Sequence, residues 1–207
     1  AAGGTVVYNE SYDPNTTDFS GIAQAVKAKN PDAIVTISFD EGWQLLKALF
    51  NLGLTPNKVG VYGADGMSST TAPAKTWASD PKIVDGMKGT APASVDNPTF
   101  TKDIKAFAPS LTEMQFAPQV YDCANIFALA AEQAKSNNAQ DWVKNVPGIT
   151  KDGTECNDFA SCKALIDKGE DIHYVGAAGD LSFDSAGEPG KATIQIYQYS
   201  GGGKFSV

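Results

Sequence analysis

Short apolar runs alternate with amphipathic stretches over the first third of the chain, and this alternation predicts a β-α-β-α-β order. Thr5–Asn9 reads as a strand. Asp13-Pro-Asn-Thr16 is a turn, after which Thr17 or Asp18 can cap a helix that gathers Phe19, Ile22, Ala23 and Val26 on one face. Asn30-Pro31 stops that helix. Ala33-Ile-Val-Thr-Ile-Ser38 is almost wholly apolar and rich in β-branched residues, the signature of a strand inside a parallel sheet. A second helix, from about Glu41 to Leu52, buries Leu45, Leu46, Leu49 and Leu52, and Gly53 supplies its stop. Val59–Tyr62 is the next strand. Strands joined through helices in this way imply a parallel sheet with right-handed crossovers.

The rest of the chain is more helical. A Ser/Thr/Ala/Pro region, Ser68 to Ala74, opens a helix near Trp77, and Ile83–Ala91 holds another strand. Pro92 and Asp96-Asn-Pro98 interrupt the pattern. Helices follow over Thr99–Phe107, Gln115–Lys135, Asp141–Val146 and Phe159–Lys168. In the longest, Val120, Cys123, Ala124, Phe127 and Ala131 form an i, i+3, i+4, i+7 stripe, which makes Cys123 a small buried hydrophobe. Leu181–Asp184 and Ala192–Tyr199 read as a hairpin-like pair of strands, and Gly201-Gly-Gly203 as a flexible tail element.

Charge and motif content narrow the function. The net charge of -8, from 24 acids against 16 bases, repels phosphate backbones and argues against nucleic acid as a partner. Every basic residue is lysine. Without arginine's bidentate fork, a ligand carboxylate has to be held by backbone N–H groups, hydroxyls, lysine or groups outside this chain. No apolar run approaches the roughly 18 residues that a spanning helix needs. There is no G-x-S-x-G elbow, no glycine-rich phosphate loop with lysine, no H-E-x-x-H and no C-x-x-C. With His173 as the single histidine, these absences argue against an enzyme, and no cofactor is implied. Cys156 and Cys162 lie six positions apart in a polar connection entering a short helix. A local disulfide, with two free thiols as the alternative, points to an extracytoplasmic compartment.

One segment carries candidate chemistry. In Val59-Gly-Val-Tyr-Gly-Ala-Asp-Gly-Met67 an apolar strand ends in Gly63, and a carboxylate, Asp65, follows beside a second glycine. Ligands of open α/β sheets bind at the carboxyl ends of parallel strands. Asp65 there suits a ligand ammonium group; the alternative is a turn residue capping its own loop. At the end of the preceding strand stand Ser38, Phe39 and Asp40, and Asp40 and Glu41 can instead open the following helix, where carboxylates favour the dipole.

Taken in order, Tyr12-Asp-Pro-Asn-Thr-Thr-Asp-Phe-Ser20, Asn30-Pro-Asp-Ala-Ile-Val35, Asn51-Leu-Gly-Leu54, the Asp65 segment and Tyr174-Val-Gly-Ala-Ala-Gly-Asp-Leu-Ser-Phe-Asp184 with Gly187-Glu-Pro189 resemble the solute-binding proteins of ABC importers, of the branched-chain amino-acid type. The resemblance implies an α/β fold. A parallel Rossmann-like sheet of the second of two lobes occupies residues 1–93. A first-lobe helical segment with its return crossover occupies 94–189, and a C-terminal strand and tail 190–207. It implies that Asp65 receives the ammonium of an amino-acid-like ligand, with Ser38 or Phe39 and Asp40 beside it. The first lobe's sheet and its share of the site then lie outside this chain, which corresponds to roughly the last 55–60% of such a protein. A membrane permease is the implied partner, and periplasm or a cell-surface lipoprotein the implied location. The same fold also serves as the sensor domain of signalling receptors, and an α/β enzyme is the remaining alternative. On this reading the isolated chain binds its ligand very weakly or not at all, and its uncovered apolar faces make it self-associate.

Overall fold

A computed structural model describes residues 3–93, 97–112 and 114–207. The break placed at Asp96 lies outside the described residues. The chain divides into two compact units, Ala1–Ala91 with Ile194–Val207, and Pro92–Thr193.

The first unit follows the predicted alternation. Helix α1 (Ser20–Ala28) leads to β1 (Ala33–Thr36), α2 (Gly42–Asn51) to β2 (Gly60–Gly63), and the short α3 (Ala72–Thr76) to β3 (Lys88–Pro92). The strands lie in the order β1-β2-β3, joined by two strands from the chain's end, β6 (Ile194–Ser200) and β7 (Lys204–Ser206). Pairing of β1 with β2 and of β2 with β3 is parallel, with Ile34 opposite Val61 and Tyr62 opposite Lys88. Gly86 N donates to Tyr199 O and Tyr199 N to Met87 O, while Ala93 N donates to Thr193 O, so β6 runs antiparallel to β3.

One face of this sheet is packed and the other is bare. Ile34, Thr36, Val61, Ala91, Tyr197 and Tyr199 are buried against Trp43, Leu45, Leu46, Leu49 and Phe50 of α2 and Phe19 and Ala23 at α1. Tyr197 crosses under the strands where they carry glycine: a Cβ on Gly89 would sit 2.2 Å from its ring, and its hydroxyl donates to Ala64 O at 2.9 Å. On the other face Val35, Tyr62, Ile194 and Ile196 are 44–68% exposed. Parallel sheets normally have both faces covered.

The second unit is mainly helical. It contains α4 (Pro98–Phe107), α5 (Ala117–Ala134), α6 (Ala139–Trp142), α7 (Val146–Ile149) and α8 (Phe159–Ile166), with a parallel pair β4 (Thr154–Cys156) and β5 (Ile172–Tyr174). Asn97 caps α4 by accepting from Phe100 N, and Asp158 caps α8 by accepting from Ser161 N, both at 3.0 Å. The core gathers Ile126, Leu129, Ala130, Ile149, Ile172 and Tyr174 around Cys156 and Cys162. Those two cysteines are disulfide-bonded, with Cα atoms 5.3 Å apart, which ties β4 to α8.

Four expectations are corrected. Thr5–Asn9 is not a strand: β1 ends the sheet, no ladder among the described residues includes these five, and Val6 is 79% exposed. Leu181–Asp184 is not a strand either. Asp184 turns the chain, its carboxylate accepting from Ala186 N and Glu188 N while Asp184 N donates to Glu188 O. The C-terminal hairpin is β6–β7, and Gly201–203 is its turn rather than a loose tail. All three residues have φ between +61° and +97°, and Gly202 N and Gly203 N donate to the Asp85 carboxylate. Finally, Cys123 is free as a thiol but exposed, and Ala124 and Phe127 of its stripe are exposed with it. Helix α5 instead buries Asp122, Ile126, Leu129 and Ala130.

Candidate ligand-binding site

The register of β1 with β2 brings the carboxyl ends of both strands level, Thr36 opposite Gly63, and Ala64 N extends the pairing by donating to Thr36 O at 3.0 Å. Two short connections leave from there. After β1 the side chains alternate: Ile37 is exposed, Ser38 points inward at 5% exposure, and Phe39 stands out at 69%. Asp40 is exposed, and its carbonyl accepts from Trp43 N in the first turn of α2. After β2 comes a single 3₁₀ turn, Asp65–Met67, with Asp65 half-buried.

Gly66 joins the two connections. A Cβ there would lie 2.4 Å from Ser38 O and 2.7 Å from Phe39 Cδ1, so the Phe39 ring rests directly on its backbone. Asp65 and Phe39 thus share one corner of the sheet. Ser38 instead lies beneath, its Oγ 2.5 Å from the Tyr12 hydroxyl. Tyr12 also donates to Glu41 Oε1 at 3.2 Å, and that carboxylate oxygen accepts from Phe39 N at 3.2 Å. Burial, opposed by the Ser38 hydrogen bond and reinforced by the Glu41 charge, raises the Tyr12 pKa above its ordinary value. Deeper in, burial raises the Tyr197 pKa, with the charges of Tyr199 and Asp65 adding to it. The corner therefore offers an aromatic ring, carboxylate acceptors and exposed strand-end backbone. These suit a ligand with an ammonium or hydroxyl donor and an apolar body, and they repel a ligand carboxylate.

Sequence reasoning named Asp65, Ser38, Phe39 and Asp40, and the structure brings Asp65 and Phe39 together. It missed Tyr12 and Gly66 as parts of the corner. Tyr12 lies 26 residues before Ser38 and gives no local signal; Gly66, beside an acid after a strand, does give one. A groove of about 840 Å³ runs along the outer edge of β1 between Thr5–Asn9 and Val35 and reaches Phe39 at one end, but neither Asp65 nor Gly66 lines it. It follows the unpaired strand edge and shares Tyr12, Ser38, Phe39 and Glu41 with the corner.

Two acids of the second unit, Asp122 and Asp180, have structural partners. Asp122 is fully buried and accepts from Tyr174 Oη at 2.9 Å and from Ala177 N and Ala178 N, each at 2.7 Å. Burial raises its pKa against the pull of these bonds, and it raises that of Tyr174 as well. Asp180 accepts from Lys191, Ser182 and His173, and the Lys191 bond leads in holding its pKa well below the usual carboxylate range. His173 therefore belongs to a loop brace. Among the described residues no group of His, Cys, Asp and Glu is placed to hold a metal ion, and no helix is long and apolar enough to cross a membrane.

The chain belongs to the periplasmic binding protein family, which matches residues 1–204. Solved structures share the fold. The leucine-binding protein LivK of Thermotoga maritima aligns with TM-score 0.61 and 18% identity over 93% of this chain and 49% of its own. An ABC-transporter solute-binding protein of R. palustris, in complex with 4-hydroxybenzoate, aligns with TM-score 0.63 and 18% identity over 98% and 50%. An extracellular ligand-binding receptor of Desulfohalobium retbaense aligns with TM-score 0.62 and 18% identity over 95% and 30%. At such identity the likeness is one of fold. The chain spans about half the length, or less, of these structures. No curated protein matches it.

Proposed function

We propose that this chain is the part of an extracytoplasmic solute receptor that supplies one wall of the ligand site, in a protein that delivers an amino acid or a related small polar molecule to the permease of an ABC importer. The observation that carries the reading is the corner where Phe39 rests on Gly66 beside Asp65, at the carboxyl ends of two parallel strands. Asp65 receives the ligand's ammonium or hydroxyl donor, and the exposed Phe39 ring covers its apolar body. Ser38 supports the corner from below. Asp40 adds negative potential from the start of α2. The remaining wall, including the groups that hold a ligand carboxylate, comes from the rest of the protein, in keeping with a chain half as long as its structural neighbours and free of arginine. The neighbours' leucine and 4-hydroxybenzoate each combine a donor with an apolar body, which is the chemistry this corner accepts. The Cys156–Cys162 disulfide fits an oxidising compartment, periplasm or cell surface.

Closure of the complete protein around its ligand would bury it and present a changed surface to the permease. One wall leaves the ligand largely hydrated, so the isolated chain binds weakly. Saturation-transfer NMR, which registers weak complexes, tests the reading with leucine, 4-hydroxybenzoate and glucose. Transfer to leucine or 4-hydroxybenzoate but not to glucose is the expected result; equal transfer to all three, or transfer to glucose alone, contradicts it.

A further inference from the structure

We infer that Tyr12, Glu41 and Gly66 are positioning residues that hold Phe39 upright as the aromatic wall of the ligand corner, and that hydrogen bonding by Glu41, rather than its charge, does the holding. The inference rests on the ligand-site reading above and extends it to Tyr12 and Glu41, to which that reading gives no role, and to Gly66 as the support of the ring.

Burial of an apolar ring is favourable, and Phe39 nevertheless stays 69% exposed at the strand end. Three constraints explain this. Its N–H donates to Glu41 Oε1 at 3.2 Å, which fixes the backbone from which the ring projects. The same oxygen accepts from the Tyr12 hydroxyl at 3.2 Å, and that hydroxyl also meets Ser38 Oγ, on the residue just before Phe39. Tyr12 itself is held edge-on against the buried Phe19, ring centroids 5.2 Å apart at 86°. From the other side the ring edge lies on Gly66, where any Cβ would collide with both Ser38 O and the ring.

The plain alternative is that Glu41 serves its own helix, since it occupies the N-cap position of α2. Its side chain makes no capping hydrogen bond there. It turns back instead toward Phe39, a residue that contributes nothing to the core. A network of four residues that keeps one apolar ring bare is a recognition device: a preformed wall spends less ordering entropy on binding. The chemistry recognised is a flat or branched apolar group lying against the ring, with its donor end toward Asp65.

NMR of the whole 207-residue chain tests this with Glu41→Gln, Glu41→Ala and Tyr12→Phe, each first checked for a native spectrum. One readout needs no ligand: the nuclear Overhauser contact between the Phe39 ring and the Gly66 α-protons. The other is the shift of the Phe39 and Gly66 signals on titration with 4-hydroxybenzoate. Glu41→Gln keeps an acceptor and should keep both the contact and the titration. Glu41→Ala should lose the contact and weaken apparent binding by about three- to tenfold, the scale of one lost hydrogen bond, with Tyr12→Phe between them. If Glu41→Ala retains the contact, or if Gln and Ala behave alike, the positioning role is overturned. If the wild-type chain shows the contact but does not titrate with 4-hydroxybenzoate or leucine, the ligand-site reading is what fails, and the recognition role falls with it.

Discussion

Asp122 is the residue that most reshapes the second unit. Sequence periodicity drew Val120, Cys123, Ala124, Phe127 and Ala131 into one apolar stripe on α5 and made Cys123 a buried residue, because an apolar stripe normally faces a core. The packed face of the helix is the one that carries a buried carboxylate. Three donors converge on Asp122, two of them backbone N–H groups of the turn at Gly176–Gly179. Ile126 and Leu129 are buried on that same face, and Phe127 stands 52% exposed. No local pattern announces this, since the partners lie 52 to 56 residues away. Asp122→Asn replaces one accepting oxygen by a donor and leaves a buried N–H or hydroxyl unpaired. The expected loss is about 1–3 kcal/mol, read as a lower urea midpoint by circular dichroism. An unchanged midpoint would mean that the turn is held by something other than this carboxylate.

Elements were legible where their signals are local. The apolar runs Ala33–Ser38 and Val59–Tyr62 and the stripe of α2 gave parallel strands and helix directly, because strands of parallel sheets commonly read as short continuous apolar runs. The disulfide was legible too, from two cysteines in a short polar loop. Elements whose formation depends on a distant partner were not. Thr5–Asn9 has strand composition, yet it stands across a groove from the open edge of β1 and joins no ladder among the described residues. Gly201–203 has the composition of a linker, and only the carboxylate of Asp85, 117 residues away, makes it a turn. The brace at Asp180 is likewise invisible in sequence. Its pKa is depressed from 3.8 by Lys191, Ser182 and His173, so the ionised form stabilises the fold. That contribution is complete above about pH 3.8 and is lost as the pH falls toward the depressed folded-state value. Thermal melts of Asp180→Asn between neutral and acid pH should show a shallower acid decline than the parent; an identical decline would assign acid sensitivity to other carboxylates.

At the scale of the whole molecule, the first unit's sheet is covered on one face only. Val35, Tyr62, Ile194 and Ile196 form its bare side, and β1 leaves an unpaired edge above a groove of about 840 Å³. Exposed apolar patches of this kind mark interaction surfaces, and open strand edges invite strand addition. The chain on its own should therefore self-associate, and sedimentation velocity should show dimers or larger species that grow with concentration. Replacing Val35 and Ile196 together by lysine should shift the population toward single chains. Sedimentation of the parent as one chain at all concentrations would show that this face is stable in water as it stands.

The central claim is that the carboxyl ends of β1 and β2 form the ligand wall and that Asp65 supplies its charge. Titrating the ¹⁵N-labelled chain with leucine, beside Asp65→Asn, tests it most directly, because the substitution keeps shape while it removes the charge and one of the two accepting oxygens. The loss of one charge-assisted hydrogen bond costs about 1.5–3 kcal/mol, roughly ten- to a hundredfold in affinity. The account predicts shifts confined to residues 38–40 and 64–67 in the parent and their collapse in Asp65→Asn. Shifts that map elsewhere, or an Asp65→Asn chain that titrates like the parent, would contradict it.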